Sequence, residues 1–344
     1  MTQIGHMKAL SMQSNTPRDI AVIQAPIPEP APHELRLKVH AVGICGSDVS
    51  TALAKPNFDW VARPLILGHE FSAEIDAVGK ETTGWKLGEK VCALSVQGCG
   101  HCIQCNTGNT QQCPNRTILG LSTAGAMADY CTVDAAHVVP LHDNLSHIDG
   151  ALIEPLAVAS RCVQRACEVT SGQTVAVSGC GIIGLLCALV AKAKGANVKI
   201  SGIAADAEVR LKKARSIGLE TVVVDNTGTL ATQLDNEVDI LIEASGSPSA
   251  LEAAHETVKP GGLIGVVATY PTTVGLPATD LVRREQRLHT SFGSTLADYE
   301  RAMEHLTDGD IPVKQLVETF PLDKAVSAFE ASITKATPKA VVLP

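Results

Sequence analysis

Residues 174–178 (TVAVS) run directly into Gly179-Cys180-Gly181-Ile182-Ile183-Gly184, and then into a long apolar stretch at 185–194. A short continuous apolar run bounded by glycine reads as a strand buried on both faces, as in parallel sheets. Each glycine in the turn answers a physical demand. Gly179 permits the tight turn, Gly181 lets backbone approach a pyrophosphate, and Gly184 lets helix and strand pack closely. Ile182 and Ile183 open the helix, whose unpaired N–H groups and dipole favour an anion. A bare G-x-G-x-x-G is weak evidence; between a strand and a helix it predicts a nicotinamide dinucleotide site.

The alternation continues beyond it. Runs at 198–201, 221–224, 239–243, 263–268 and 290–293 read as further strands, with a helix around 209–217. Strands alternating with helices imply right-handed βαβ units and a doubly wound parallel sheet, an α/β fold. NAD sites of this kind carry an acid at the end of the second strand to hold the ribose 2′-OH. Gly202 stands there instead, in ISGIAAD. Without that carboxylate nothing repels a 2′-phosphate, so NADP is admitted, yet no Arg or Lys follows at once. Arg210, Lys212 and Lys213 read as the solvated face of the next helix, while Asp206 reaches the site if its loop folds over. The balance tips to NAD, with NADP open.

Residues 8–150 have a different texture. Short β-like runs at 35–42, 72–78, 90–94 and 128–133 are punctuated by Gly and Pro, as in a mostly-β body. Residues 150–168 then read as helix, with Pro155 near the start, where its missing N–H does least harm. Inside the β-rich part lie Cys99, Cys102, Cys105 and Cys113, a C-x2-C-x2-C-x7-C run. Thiolates this close can converge on one tetrahedral Zn²⁺. Four protein ligands leave no open position, so such a site is structural. His101 is surplus to it and is expected at the surface. One amphipathic helix is expected at 296–307, then mixed structure.

Upstream of the cysteine lobe the chain reads Gly43-Ile44-Cys45-Gly46-Ser47-Asp48, and later Gly68-His69-Glu70 followed by FSAEIDAVG. With the cysteine lobe and the later G-x-G-x-x-G, these motifs resemble the zinc-dependent medium-chain dehydrogenases of the alcohol dehydrogenase superfamily. Within them the chain is most similar to the polyol branch of sorbitol, threonine and butanediol dehydrogenases. The resemblance spans nearly the whole chain. It implies a GroES-like, mostly-β catalytic domain at 1–156 and 297–344, bearing the metal lobe at about 95–115, and a Rossmann domain at 157–296. It also implies two zinc ions per chain. Cys45 and His69 would be catalytic ligands, Glu70 a direct or alternating one, and Glu154 a ligand directly or through water. Ser47 would take the proton of the alcohol. Asp48 is expected to hydrogen-bond within the fold. Alcohol dehydrogenases often end the proton relay on a His five residues after the first zinc cysteine; here Ser50 stands there, so the proton leaves by another route. The implied reaction is hydride transfer between a secondary alcohol and NAD(P), giving a ketone. Phe58 and Trp60 fall where the family has a wall of the substrate pocket, although packing beneath the loop accounts for them as well.

Other properties bound these readings. At 344 residues two ordinary domains are expected. A net charge of −8 with no basic run argues against a nucleic-acid partner. No apolar run reaches the roughly 18–20 residues that span a bilayer, and MTQIGHMKALSMQ lacks the pattern of a secretory signal. Eleven cysteines then point to a reducing compartment, the cytoplasm. Arg283, Arg284 and Arg287 read as a charged helix face rather than a cluster that demands a charged substrate, and the resemblance implies a small neutral alcohol or ketone, such as a polyol, sugar alcohol or cyclitol. Two rivals stand beside this reading: a threonine-type or amino-alcohol dehydrogenase, and a non-catalytic binding protein on the same scaffold. The resemblance also implies a homo-oligomer, tetramer or dimer, joined through the edge strand of the Rossmann sheet, and the apolar segment 261–270, near the sheet's last strands, suits such a contact.

Overall fold

In the computed structural model, which describes residues 5–225 and 228–344, the chain divides into two compact units. One comprises Met1–Glu154, Gly293–Thr307 and Leu316–Pro344; the other comprises Pro155–Phe292 and Asp308–Gln315.

The first unit is built on a seven-stranded sheet. Its order is Val138–Pro140, Lys90–Ala93, Glu70–Val78, Glu34–Gly43, Lys339–Leu343 and Val317–Pro321, with Tyr130–Asp134 also paired to Glu34–Gly43. The alternation expected of half-buried strands is clear in Glu34–Gly43, where Leu35, Leu37 and Val39 point inward. They meet Leu10, Phe71, Ile75, Met127 and Phe329 in one core, while Ala41 packs separately with Ala151 and Val341. The pairing of Glu34–Gly43 with Glu70–Val78 slips at two places, between Arg36 and Leu37 and between Val39 and Ala41. At the second, Val39 faces Ala73 and Ala41 faces Ser72, so His40 is an extra, unpaired residue. Such a bulge re-aims the inserted side chain. A smaller sheet of Ile20–Pro26, His6–Met12 and Leu65–Ile66 completes the body. The stretch after residue 307, expected as mixed structure, holds two strands of this sheet. Lys339–Leu343 is an interior strand, with neighbours on both sides.

The second unit is a six-stranded, wholly parallel sheet. Its order is Glu220–Val224, Asn197–Ile203, Thr174–Ser178, Val238–Glu243, Val258–Val266 and Arg287–Thr290. Numbered along the chain this is 3-2-1-4-5-6, the doubly wound dinucleotide-binding arrangement. Thr174–Ser178 lies at the centre, which is why its sequence is apolar throughout. The helix Ile182–Ala193 is continuously buried from Gly184 to Ala191, which explains its lack of a polar face. Three expectations shift. The sixth strand is Arg287–Thr290 rather than 290–293, because a charged edge strand hides the apolar signal. The helix expected at 150–168 is Ile153–Arg161, continued by a π-turn at Cys162–Ala166. The segment 261–270 is not at the sheet edge: Val258–Val266 is flanked on both sides, and Arg287–Thr290 is the outer strand.

Candidate active site

Cys45 caps the short helix Gly46–Ala52, and its backbone N–H donates to Asp48 Oδ2 at 2.9 Å. The other oxygen of Asp48 accepts from the Gly68 N–H at 3.3 Å, so one buried carboxylate ties together the two segments that carry Cys45 and His69. This is the structural role expected of Asp48. Gly68 has φ +96°, and a Cβ there would lie 2.6 Å from Met127 Cγ, so the turn into His69 needs glycine. Glu70 then opens the strand Glu70–Val78.

The result is convergence. Donor atoms of Cys45, His69 and Glu70 lie within 4.8 Å of one another. The buried His69 Nδ1 lies 3.7 Å from Asp48 Oδ1 and makes no hydrogen bond, while Nε2 is 3.5 Å from Ser47 Oγ. Burial disfavours a charge on His69, but Asp48 and then Cys45 outweigh it and raise its pKa well above the ordinary value. Burial pushes the Asp48 and Glu154 carboxyls up. The pocket therefore draws positive charge. A thiol, an imidazole with unspent hydrogen-bonding capacity and a carboxylate fit a Zn²⁺ ion.

Glu154 sits in the first turn of Ile153–Arg161, buried, with Oε1 accepting from Ser95 Oγ at 2.7 Å. Ser95 is held in turn: its N–H donates to the Tyr299 hydroxyl at 3.2 Å, and that hydroxyl donates to the Ala93 carbonyl at 3.0 Å. Glu154 acts on His69 through its charge, but it is not one of the three side chains whose donor atoms converge. Sequence reasoning missed Lys339. Its ammonium forms a buried ion pair with Glu70 Oε2 and donates to the Ile44 carbonyl at 2.9 Å. Gly43 makes room for the pair, since a Cβ there would sit 2.6 Å from Glu70 Oε2. A lysine in KAVVL was the available signal. Phe58 is partly buried beside an exposed Trp60, whose indole N–H bonds the Asn57 carbonyl.

The sulfurs of Cys99, Cys102, Cys105 and Cys113 form a second cluster, also within 4.8 Å of one another. The sulfur of Cys102 is 3.5 Å from that of Cys105 and 3.8 Å from that of Cys113. Tetrahedral bonds of about 2.3 Å to zinc would space sulfurs by about 3.8 Å, so this cluster fits the metal. The Cys99 thiol is pulled down to about 6, chiefly by the backbone N–H of His101. His101 itself is exposed.

In the second unit, Gly179 has φ +101°, and a Cβ there would meet the Ser245 backbone at 2.7 Å. A Cβ on Gly184 would lie 1.9 Å from the Gly179 carbonyl oxygen, the close helix–strand approach expected of that position. Around Gly181 the space is open within 4 Å, and Gly181 caps the helix that Ile182 and Ile183 begin. Gly202 is the last residue but one of the strand Asn197–Ile203, and a Cβ there would lie 2.6 Å from Cys180 Sγ and 3.2 Å from Asp206 Oδ2. The Asp206 loop does fold back. Its carboxylate accepts from the Ile203 N–H at 3.2 Å and lies 3.8 Å from Arg210 Nη1. Sequence reasoning placed Arg210 on a solvated face; it is half-buried, and its Nε is buried without a hydrogen-bond partner.

Comparison with known proteins agrees with this geometry. The pattern of the alcohol dehydrogenase GroES-like domain matches residues 31–143, and that of zinc-binding dehydrogenases matches 183–308. An L-threonine 3-dehydrogenase of Bacillus subtilis is 32% identical, covering 99% of this chain and 100% of its own. A sorbitol dehydrogenase of Halalkalibacterium halodurans is 30% identical, covering 90% of this chain and 91% of its own. Among solved structures, one from Sinorhizobium meliloti, described as a zinc-binding dehydrogenase and bound to NADP, superposes with TM-score 0.89. It is 27% identical and covers 99% of this chain and 100% of its own. The chain belongs to the zinc-dependent medium-chain dehydrogenases, in the branch that includes sorbitol and threonine dehydrogenases. It is thus an oxidoreductase of the NAD(P)-dependent alcohol dehydrogenase type, with a GroES-like unit and a Rossmann unit. Among the described residues no helix is long and apolar enough to cross a membrane.

Proposed function

We propose that the protein interconverts a secondary alcohol and its ketone, the alcohol being carried on a polyol, sugar alcohol or cyclitol, with NAD favoured over NADP. The observation that carries this reading is the convergence of Cys45, His69 and Glu70 in a pocket that draws positive charge. In this reading Cys45, His69, Glu70 and Glu154 hold the catalytic zinc, and Cys99, Cys102, Cys105 and Cys113 hold the structural one. When bound, the metal supplies Lewis acidity at the alcohol oxygen and the nicotinamide supplies the hydride chemistry.

The chain's own groups do the rest. Ser47 Oγ, beside His69, accepts the proton of the alcohol. With Ser50 where a relay histidine would stand, the proton leaves through water held by Glu154 or Glu70. Asp48 fixes the segments bearing Cys45 and His69, and Lys339 fixes Glu70. Residues 1–156 and 297–344 form the catalytic domain, and 157–296 form the cofactor domain. There the backbone of Gly179, Gly181, Ile182, Ile183 and Gly184 cradles the pyrophosphate. Beside Gly202, Asp206 takes the adenosine ribose hydroxyls and supports NAD, while Arg210 stands ready for a 2′-phosphate. A cytoplasmic homo-oligomer, tetramer or dimer, completes the reading, with the outer strand Arg287–Thr290 as the edge available for pairing.

The test is a nicotinamide-absorbance screen of zinc-loaded protein, pairing polyols, cyclitols, diols and threonine with NAD and with NADP. Turnover of a polyol or cyclitol with NAD is expected. Turnover confined to threonine would favour the threonine-type alternative, supported by the 32% identity to a threonine dehydrogenase. Inactivity with all of them, at full zinc content, would point to a binding protein on this scaffold.

A further inference from the structure

A third group of metal-ligating side chains lies in the first unit, apart from both cysteine-bearing clusters. His40, Glu74 and His147 present donor atoms within 4.8 Å of one another. His40 is there because of the bulge in Glu34–Gly43, which turns it out of register. Glu74 comes from the neighbouring strand, and His147 opens the short helix His147–Gly150. The imidazole rings stack, with centroids 4.2 Å apart and planes 22° from parallel. His40 Nε2 lies 3.4 Å from Glu74 Oε2, and His147 Nε2 lies 3.5 Å from Glu74 Oε1.

Hydrogen bonding fixes which nitrogen of His147 is bare. The Ser72 hydroxyl donates to the His147 carbonyl at 2.7 Å, which spends its one proton. Its oxygen, 3.2 Å from His147 Nδ1, must then accept from that nitrogen. Nε2 is left with a lone pair aimed at an anionic carboxylate. His40 Nε2 is itself buried without a hydrogen-bond partner. Lys90, opposite Glu74 on the adjoining strand, sends its ammonium to the Asp143 and Leu145 carbonyls instead.

Both imidazoles thus turn a ring nitrogen toward the one carboxylate, from two strands and a helix that the fold brings together. Ligands held at about 2.1 Å in tetrahedral directions stand about 3.4 Å apart, close to the distance of each imidazole nitrogen from its nearer Glu74 oxygen. Two imidazoles and a carboxylate are borderline donors suited to Zn²⁺ or Ni²⁺. We propose that His40, Glu74 and His147 form a third site, for a divalent transition-metal ion. Ser72 is its positioning residue, directing His147 as the outer hydrogen-bond partner of a ligating histidine does. An ion there would clamp the two central strands to the segment that leads into Glu154.

The test is calorimetric titration of Ni²⁺ into protein holding two zinc ions per chain, comparing the wild type with His147→Ala, His40→Ala and the isosteric Glu74→Gln. Uptake by the cysteine clusters would be common to all four proteins and cancels in the comparison. The wild type is expected to take about one equivalent that the histidine variants lack. Glu74→Gln should bind at least about tenfold more weakly, and Ser72→Ala about tenfold more weakly. Ni²⁺ should also raise the melting temperature of the wild type and not that of His147→Ala. Equal uptake by wild type and Glu74→Gln, with Glu74→Gln folded by circular dichroism, would overturn the proposal. So would no uptake by the wild type.

Discussion

Lys339 and Glu70 are 269 positions apart in the chain, yet they form a fully buried ion pair at the edge of the Cys45–His69–Glu70 cluster. Burying two charges is costly, and the attraction between them offsets that cost only while both are present. Lys339→Met is therefore expected to strand the Glu70 carboxylate and destabilise the first unit by about 3–5 kcal/mol. Chemical denaturation checks this. A loss under about 1 kcal/mol would mean that Glu70 finds another partner or takes up a proton.

The two cysteine-bearing clusters should fail differently. Cys45→Ser should abolish turnover while leaving nucleotide binding, read by quenching of protein fluorescence, nearly intact, because Gly179–Gly184 lie in the other unit. Cys99→Ser should instead lower the melting temperature and zinc content, since a structural zinc contributes folding free energy.

Asp206 is expected to set the nucleotide preference. Asp206→Ala should raise the ratio of kcat/KM for NADP to that for NAD by roughly tenfold, about the value of one hydrogen bond to a charged group. The same substitution frees Arg210 from its carboxylate neighbour. Steady-state kinetics with both nucleotides reads the ratio; no change would remove Asp206 from the site.

Asp239 gives a prediction about acid. Lys259 chiefly, with the N–H and hydroxyl of Thr174, holds its pKa at about 2 against the opposing effect of burial. The folded value lies below the unfolded one of about 3.9, so the contribution is complete above about pH 4 and is lost as the pH falls toward 2. Asp239→Asn should lose less stability than the wild type across that window. Parallel curves from denaturant midpoints at a series of acid pH values would refute it.

What the sequence made legible was local. The G-x-G-x-x-G turn and the four-cysteine run announce themselves because all their parts are contiguous, and each glycine in the turn is demanded by backbone geometry. Cys45, His69 and Glu70 were legible only through the family motifs that carry them, since the Asp48 carboxylate that joins their segments is revealed by no periodicity. Ser95, Tyr299 and Lys339 had no such motif, and their partners lie far off along the chain. The sixth strand was displaced because Arg287 and His289 interrupt its apolar pattern. The bulge at His40 was invisible because it is defined by the register of two strands.

The strand Lys339–Leu343 sits inside a sheet whose other members, apart from Val317–Pro321, come from the first 140 residues. Protein synthesis delivers them in the opposite order of need. The parallel sheet between them can close while the ribosome is still at work, but the earlier strands must wait with an open flank. Throughout that interval Glu70 lacks its lysine. The Glu70 side of the site therefore gains its counter-charge only when Lys339, made 269 positions later, slides in beside Glu34–Gly43.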